Sequence, residues 1–531
     1  MHSCPAPLCR VSPEPIEGLR APPVPGTFVD VSKPIRISPA AVAVLCLTFN
    51  AGSSAPAPPD VIHVDINGPA RPFPHFWEEM FGSGRAILSL RDSYREDLRS
   101  VRRVTGFRYV RFHGILNDET GICTRDPWGH INYNFTYFDQ IEDGLLAGGV
   151  RPFVELSFMP AALAASQTPH AFWYKPLPNP PRDYEQWGEL VYRAARHAVE
   201  RYGKDEVRQW YFEVWNEPNI DFWTGQPKQS TYFQLYDAAA RAVKRADSDL
   251  RVGGPATAQA AWVGDLIAHC EKGHVPLDFV STHAYANDTS QNVLGTHEVV
   301  PRSDMVARAA QKVHDEVVQS KQPLLPIIWS EYNASYLAEP NVEDAPFMGP
   351  WLANNIRLCD GLATMMSYWT FSDVFEEQGP ARTPFYGGYG LIAPGHIPKA
   401  AFNDFALLHE LGTERIAIAS TSALATKKPD GTVVLAVWNY WPPGEQGEPR
   451  DFRIEVPGAA GTAKVRVVDA NHGSPVGLWK KMGSPAWPSR DQQSELIHAA
   501  GLPPAETADV TNGAFTLTLA PHALATIEIR R

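Results

Sequence analysis

From about residue 61 to residue 411, short β-branched and aromatic runs take turns with stretches of helical apolar spacing. That alternation is the strongest constraint on what the chain can fold into, because strands separated by helices pair in parallel and need crossover helices on their outer face. Strand-like runs fall at 77–82, 107–113, 150–158, 210–215, 251–255, 277–285, 325–333 and 363–371. Helix-period runs follow at 91–105, 135–147, 184–202, 232–246, 261–272, 305–319, 351–359 and 400–411. Eight such pairs are the count of a (β/α)8 TIM barrel, placed at residues 71–413. Beyond 413 the helical pattern stops. Alternating runs at 432–440, 452–456, 464–468, 515–519 and 526–529, with Pro-Gly and Pro-Asp-Gly turns, predict an accessory C-terminal β-sandwich over 414–531. A strand within 61–70 precedes the barrel and is expected to join that sandwich.

Residues 1–60 read differently. The first thirty are rich in proline and lack periodicity, which predicts disorder. A basic stretch at 31–36, an apolar run at 40–49 and small residues at 51–57 have the order of a secretory signal peptide, with translation starting near Val31. A periplasmic or secreted protein is expected if that segment acts as a signal, and a cytoplasmic one otherwise. The apolar run is too short to span a membrane. A formal net charge of −12 without a basic block argues against nucleic acid and anionic membrane as partners. The six cysteines show no CxxC spacing, so neither a zinc site nor a disulfide framework is indicated. No GxSxG elbow, P-loop or HExxH is present, and no cofactor or metal is expected.

In a barrel of this kind the site lies at the C-terminal ends of the strands. Those ends are polar here: His113 after the second, Glu155 in the third, Asn216-Glu217-Pro218 after the fourth, His283 and Tyr285 on the sixth, Glu331 on the seventh, and Trp369 leading to Glu376 and Glu377 after the eighth. Proline restrains its predecessor to extended geometry, so Glu217 is expected at the last rung of its strand, among Trp215, Phe222 and Trp223. Two carboxylates on opposite walls suit glycoside hydrolysis. One keeps a proton for a poor leaving group, and the other stays ionised against an oxocarbenium-like centre.

These residues carry a resemblance. Arg111-Phe-His-Gly114, Glu155-Leu-Ser-Phe-Met-Pro160, Phe212-Glu-Val-Trp-Asn-Glu-Pro-Asn219, Ser281-Thr-His-Ala-Tyr285, Ser330-Glu-Tyr-Asn333 and Tyr368-Trp-Thr-Phe-Ser-Asp-Val-Phe-Glu-Glu377 together resemble glycoside hydrolase family 39, the β-xylosidases, within clan A. The resemblance implies a retaining exo-glycosidase that releases β-D-xylose from xylo-oligosaccharides, with Glu217 as acid/base and Glu331 as nucleophile. It implies that Asn216 binds the sugar 2-hydroxyl and that Tyr285 orients the nucleophile. His113, His283, Tyr336, Trp369, Glu376 and Glu377 would line the sugar pocket. Retention requires carboxyl groups about 5–5.5 Å apart. Glu217 is expected to have a raised pKa, and Glu331 to be kept ionised by Tyr285 and Asn216. Glu376 and Glu377, with no arginine cluster on their loop, would repel a uronate and favour a neutral pentose. Iduronidase-like or arabinosidase activity, or a non-catalytic carbohydrate-binding barrel, are the alternatives. Long loops at 159–182 and 372–398 suggest a closed exo-acting pocket, with an open endo-acting cleft as the alternative; the sandwich is expected either to pack on its own barrel or to project a hairpin to a neighbouring molecule, with Trp479 to Trp487 as such a contact.

Overall fold

The computed structural model describes residues 59–530; the N-terminal extension and its signal-like segment therefore lie, but for the last two residues, outside the described residues. Eight strands close into a barrel: β1 (Met80–Gly82), β2 (Tyr109–Phe112), β3 (Arg151–Leu156), β4 (Tyr211–Val214), β5 (Arg251–Thr257), β6 (Phe279–Tyr285), β7 (Ile327–Asn333) and β8 (Met365–Tyr368). Each is parallel to its sequence neighbours, and β8 returns to β1. The outer helices are α1 (Asp92–Thr105), α2 (Thr136–Ala147), α3 (Tyr184–Tyr202), α4 (Lys228–Ala246), α5 (Val263–Gly273), α6 (Met305–Val318), α7 (Met348–Cys359) and α8 (Ala400–Leu408). Their boundaries follow local chemistry. In α1, Tyr94, Leu98 and Val101 face the barrel at helical spacing, and Gly106 ends the helix with φ 67°. The α3 N-terminus is capped by Asp183, which accepts from the Glu185 amide. Among the described residues, no helix is long and apolar enough to cross a membrane.

The barrel interior is layered. Met80, Tyr109, Phe153, Tyr211, Phe279, Ile328 and Met365 plug its N-terminal half with apolar side chains from seven strands. Above that plug, β2, β3 and β4 place Arg111, Glu155 and Glu213, all fully buried. This charged layer is the platform under the strand ends.

The second region is a β-sandwich. One sheet has seven strands in the order Ala70–Pro72, Glu414–Ile416, Ala423–Lys427, Val433–Trp438, Leu524–Ile529, Gly461–Val468, Glu506–Val510. The other has three: Asp60–His63, Arg450–Glu455 and Ala514–Leu519, the first pairing parallel to the second. Ile62, Leu435, Phe452, Ile454 and Ile527 fill the space between. The opposite face of the large sheet packs on α7 and α8, where Leu424, Val434 and Leu524 share one continuous core with Leu352 and Leu407.

The expectation of strands alone beyond 413 is corrected by two helices, Val476–Lys481 and Arg490–Ala499, inserted between sandwich strands. The second begins with a reciprocal capping box between Ser489 and Gln492. Trp479 makes contacts within its own chain. Its ring packs edge-on against Phe385 in the loop after β8, 5.3 Å between centroids, and its indole N–H donates to Pro485 O. Trp487 is the exposed large hydrophobic of that segment, at 82%.

Candidate active site

At the C-terminal mouth of the barrel is a cavity of about 400 Å3. His113, Asn216, Glu217, Tyr285, Glu331, Tyr336, Trp369 and Glu377 of the sequence-derived set line it. Glu331 is the last-but-two residue of β7, and Glu217 follows the end of β4 by three. Facing oxygens of the two carboxylates lie within 4.8 Å of one another.

The backbone at Glu217 departs from expectation. It is not the extended last rung of a strand: β4 stops at Val214, and Trp215 and Glu217 take φ values of 74° and 44°. Neighbouring groups override the preference that Pro218 imposes. The Glu217 amide donates to Ala256 O, while the Asn219 side chain exchanges two 2.9 Å hydrogen bonds with the backbone of Ala258. Trp215 and Trp223 do not flank the acid from the cavity. They are buried behind it, 5.1 Å apart, and Phe222, Ile220 and Phe172 form the apolar wall instead.

Arg111 is the hub of the site, a residue whose motif is legible in the sequence but whose role is not. Its Nε donates to Glu213 (2.6 Å), Nη1 to Glu331 Oε1 (2.6 Å), and Nη2 to Asn216 Oδ1 (2.8 Å), with Glu155 2.7 Å from the same nitrogen. The bond to Glu331 expected from Asn216 is thus made by Arg111, which also orients Asn216. Tyr285 donates its hydroxyl to Glu331 Oε2 at 2.6 Å. His113 lies 2.7 Å from Glu155 and 3.4 Å from Glu377. Burial works against a charged His113, but Glu155, Glu377 and Glu331 outweigh it and lift its pKa to about 10.

Two of the expected pocket residues are placed elsewhere. His283 is fully buried beneath the acids, its Nδ1 3.0 Å from Glu217 and its Nε2 3.1 Å from Ser330 Oγ. Burial, together with the charges of Arg111 and His113, presses its pKa well below the usual value, so it is a neutral partner to Glu217. Glu376 turns away from the cavity into ion pairs with Arg91 (2.5 Å) and Arg85 (3.1 Å). Those arginines come from the segment after β1, so an inspection of the β8 loop alone could not find them.

Burial pushes both acids upward, and their partners separate them. Glu331 faces the opposing charges of Arg111 and His113 and the Tyr285 hydroxyl. Glu217 is raised well above the ordinary range by burial, then by the nearby Glu331 and Asp288. Glu217 is the member that keeps a proton. Trp369 closes the floor: its ring sits 4.8 Å from His113 and 5.6 Å from the Arg111 guanidinium. Gly82 makes room for it, since a Cβ there would meet the indole at 2.1 Å. Among the described residues, two clusters have the spacing to hold a cation: Glu217, His283 and Glu331, and, at the barrel's other end, His75, Glu78 and His409. In the second, both imidazoles are already hydrogen-bonded to Glu78, at 2.6 and 2.8 Å.

A parallel barrel with apposed glutamates at the C-terminal ends of its fourth and seventh strands, one protonated and one ion-paired, is built as a glycoside hydrolase. The chain belongs to glycosyl hydrolases family 39, whose family model matches residues 60–514. It is 37% identical over 473 residues to a β-xylosidase of Caldicellulosiruptor saccharolyticus, covering 86% of this chain and 95% of that one. It is 36% identical over 472 residues to a β-xylosidase of Geobacillus stearothermophilus, covering 86% and 93%. The crystal structure of a monomeric β-xylosidase from Caulobacter crescentus superimposes with a TM-score of 0.80 at 31% identity, covering 89% of this chain and 99% of that chain.

Proposed function

We propose that this protein is a retaining β-xylosidase that removes xylose from the non-reducing end of xylo-oligosaccharides by double displacement. The observation that carries the mechanism is the apposition of the two carboxylates, an oxygen of each within 4.8 Å of the other, with Glu331 held by Arg111 and Tyr285. In the first step a Glu331 oxygen attacks the anomeric carbon, and the glycosidic C–O bond breaks as Glu217 gives its proton to the leaving oxygen. In the second, Glu217 takes a proton from water, whose oxygen attacks the same carbon and releases Glu331. Asn216, held by Arg111, meets the 2-hydroxyl; Trp369, His113, Tyr336 and Glu377 contact the sugar; His283 supports Glu217 from behind.

The similarity to two β-xylosidases across nearly their whole length supports xylose as the sugar. Charge supports a neutral ring over a uronide. Glu377 lines the cavity, and no lysine or arginine is among the described residues lining it. Glu376 no longer contributes to that argument, because Arg85 and Arg91 neutralise it. A panel of nitrophenyl glycosides tests the reading. The β-D-xyloside is the preferred substrate, with weaker turnover of the α-L-arabinoside and none of the uronide. Glu331→Ala loses on the order of 10^4-fold or more in kcat. Undiminished hydrolysis by that variant would end the assignment.

A further inference from the structure

The end of β5 and the segment after it are strained in a way the sugar-binding half of the cavity does not explain. Ala256, Gln259, Ala260 and Trp262 have φ values of 52°, 61°, 54° and 60°, four left-handed non-glycine residues within seven positions. Such conformations persist only where surrounding contacts over-determine them. Ala256 O accepts from the Glu217 amide, Ala258 is tied on both backbone groups to Asn219, and Lys312 donates to Ala260 O at 2.6 Å. The loop is therefore fastened to the same turn that carries the proton donor.

What this shelf presents to the cavity is Ala258 and the side chain of Gln259. The Gln259 amide nitrogen makes a long 3.3 Å bond to Asp288, a buried carboxylate whose other oxygen accepts from the Tyr285 amide at 2.7 Å. Gln259 lines the cavity, and among the described residues its amide oxygen accepts no hydrogen bond. Glu331 and its partners Arg111, His113 and Tyr285 define the face from which the sugar is attacked. The departing group leaves on the opposite face, beside the residue that protonates it. Ile220 and Phe222 follow Glu217 in the chain, Phe172 packs on Phe222 at 5.1 Å, and Gln259 with Asp288 adds a polar pair to the same lining. An apolar wall with one polar edge suits a second sugar ring, whose C–H face packs on the wall while a hydroxyl meets the amide.

We propose that Gln259, set on this strained shelf, is a specificity residue that binds a hydroxyl of the leaving-group sugar and so favours a xylosyl aglycone over a simple aryl one. The proposal rests on the β-xylosidase reading. It assigns to the loop after β5 a discrimination between leaving groups that the glycone contacts cannot supply.

The test compares xylobiose with 4-nitrophenyl β-D-xyloside, whose leaving group has no hydroxyls on an sp3 ring, in wild type, Gln259→Ala and Gln259→Glu. In Gln259→Ala the ratio of kcat/KM for xylobiose to that for the aryl xyloside falls about tenfold, the loss of one hydrogen bond realised in the transition state. Gln259→Glu, which keeps an acceptor at the same reach, restores part of the ratio. An unchanged ratio in Gln259→Ala, whether both substrates slow together or neither does, would overturn the proposal. Failure of the wild type on both substrates would instead overturn the β-xyloside reading beneath it.

Discussion

At the scale of the residue, what separates Glu217 from Glu331 is the company each keeps. Both are buried; one faces a guanidinium, an imidazolium and a phenol, and the other a neutral imidazole. The sign of the pH dependence follows. The raised pKa of Glu217 keeps its proton in place above the ordinary carboxylate range, and activity is lost as pH rises through it. A kcat/KM profile on an aryl xyloside will show this alkaline limb in wild type and lack it in Glu217→Ala; persistence of the limb in the variant would assign it elsewhere. The acids themselves are legible in the sequence, because Asn-Glu-Pro and Ser-Glu-Tyr-Asn stand at strand ends. The role of Arg111 was not: a buried arginine needs carboxylates, and its partners Glu155 and Glu213 stand in register with each other on the next two strands, which only the closed barrel brings to it. The left-handed turn at Glu217 was not legible, since it depends on bonds to Ala256 and Ala258 some forty positions away in the chain.

At the scale of the element, the loop after β8 is the part of the site that folds least by local preference. It carries Glu377, Gln378 and Tyr389 to the cavity and is pinned by Lys399, which is wholly buried between Asp344 (2.7 Å) and Asp373 (2.8 Å) and donates to Gly388 O. The two aspartates in turn accept from the amides of Gly387 and Gly390. Lys399→Met leaves two buried carboxylates without their cation, and by analogy with broken buried pairs costs about 3–5 kcal/mol. Denaturant unfolding measures the loss, and a cost below about 1 kcal/mol would show that the pair does not hold the loop. Strand and helix runs were readable in this chain because their periods are local. This loop was readable only as long and glycine-rich, because its order comes from charges at 344, 373 and 399. Glu376 was misplaced for the same reason: its arginine partners are nearly three hundred residues earlier in the chain.

At the scale of the whole molecule, barrel and sandwich share one apolar core, and the inserted helices brace the β8 loop through Trp479, Phe385 and Leu496. The alternation of strand and helix periods, followed by strand periods alone, was enough to specify both folds. It was silent on how they join, since the joining residues Leu424, Val434 and Leu524 read simply as sandwich core. One consequence is thermal. The shared core predicts a single cooperative transition by calorimetry, with matched calorimetric and van't Hoff enthalpies, whereas two resolved transitions would mean that the sandwich folds independently. The central claim concerns the stereochemistry that the site imposes, and it is read most directly from the anomer first formed. Proton NMR of xylobiose or an aryl β-xyloside, followed within the first turnovers before mutarotation, is predicted to show β-xylose appearing first, by net retention. Initial appearance of α-xylose would mean inversion and would contradict the assignment of Glu331 as a nucleophile within 4.8 Å of Glu217.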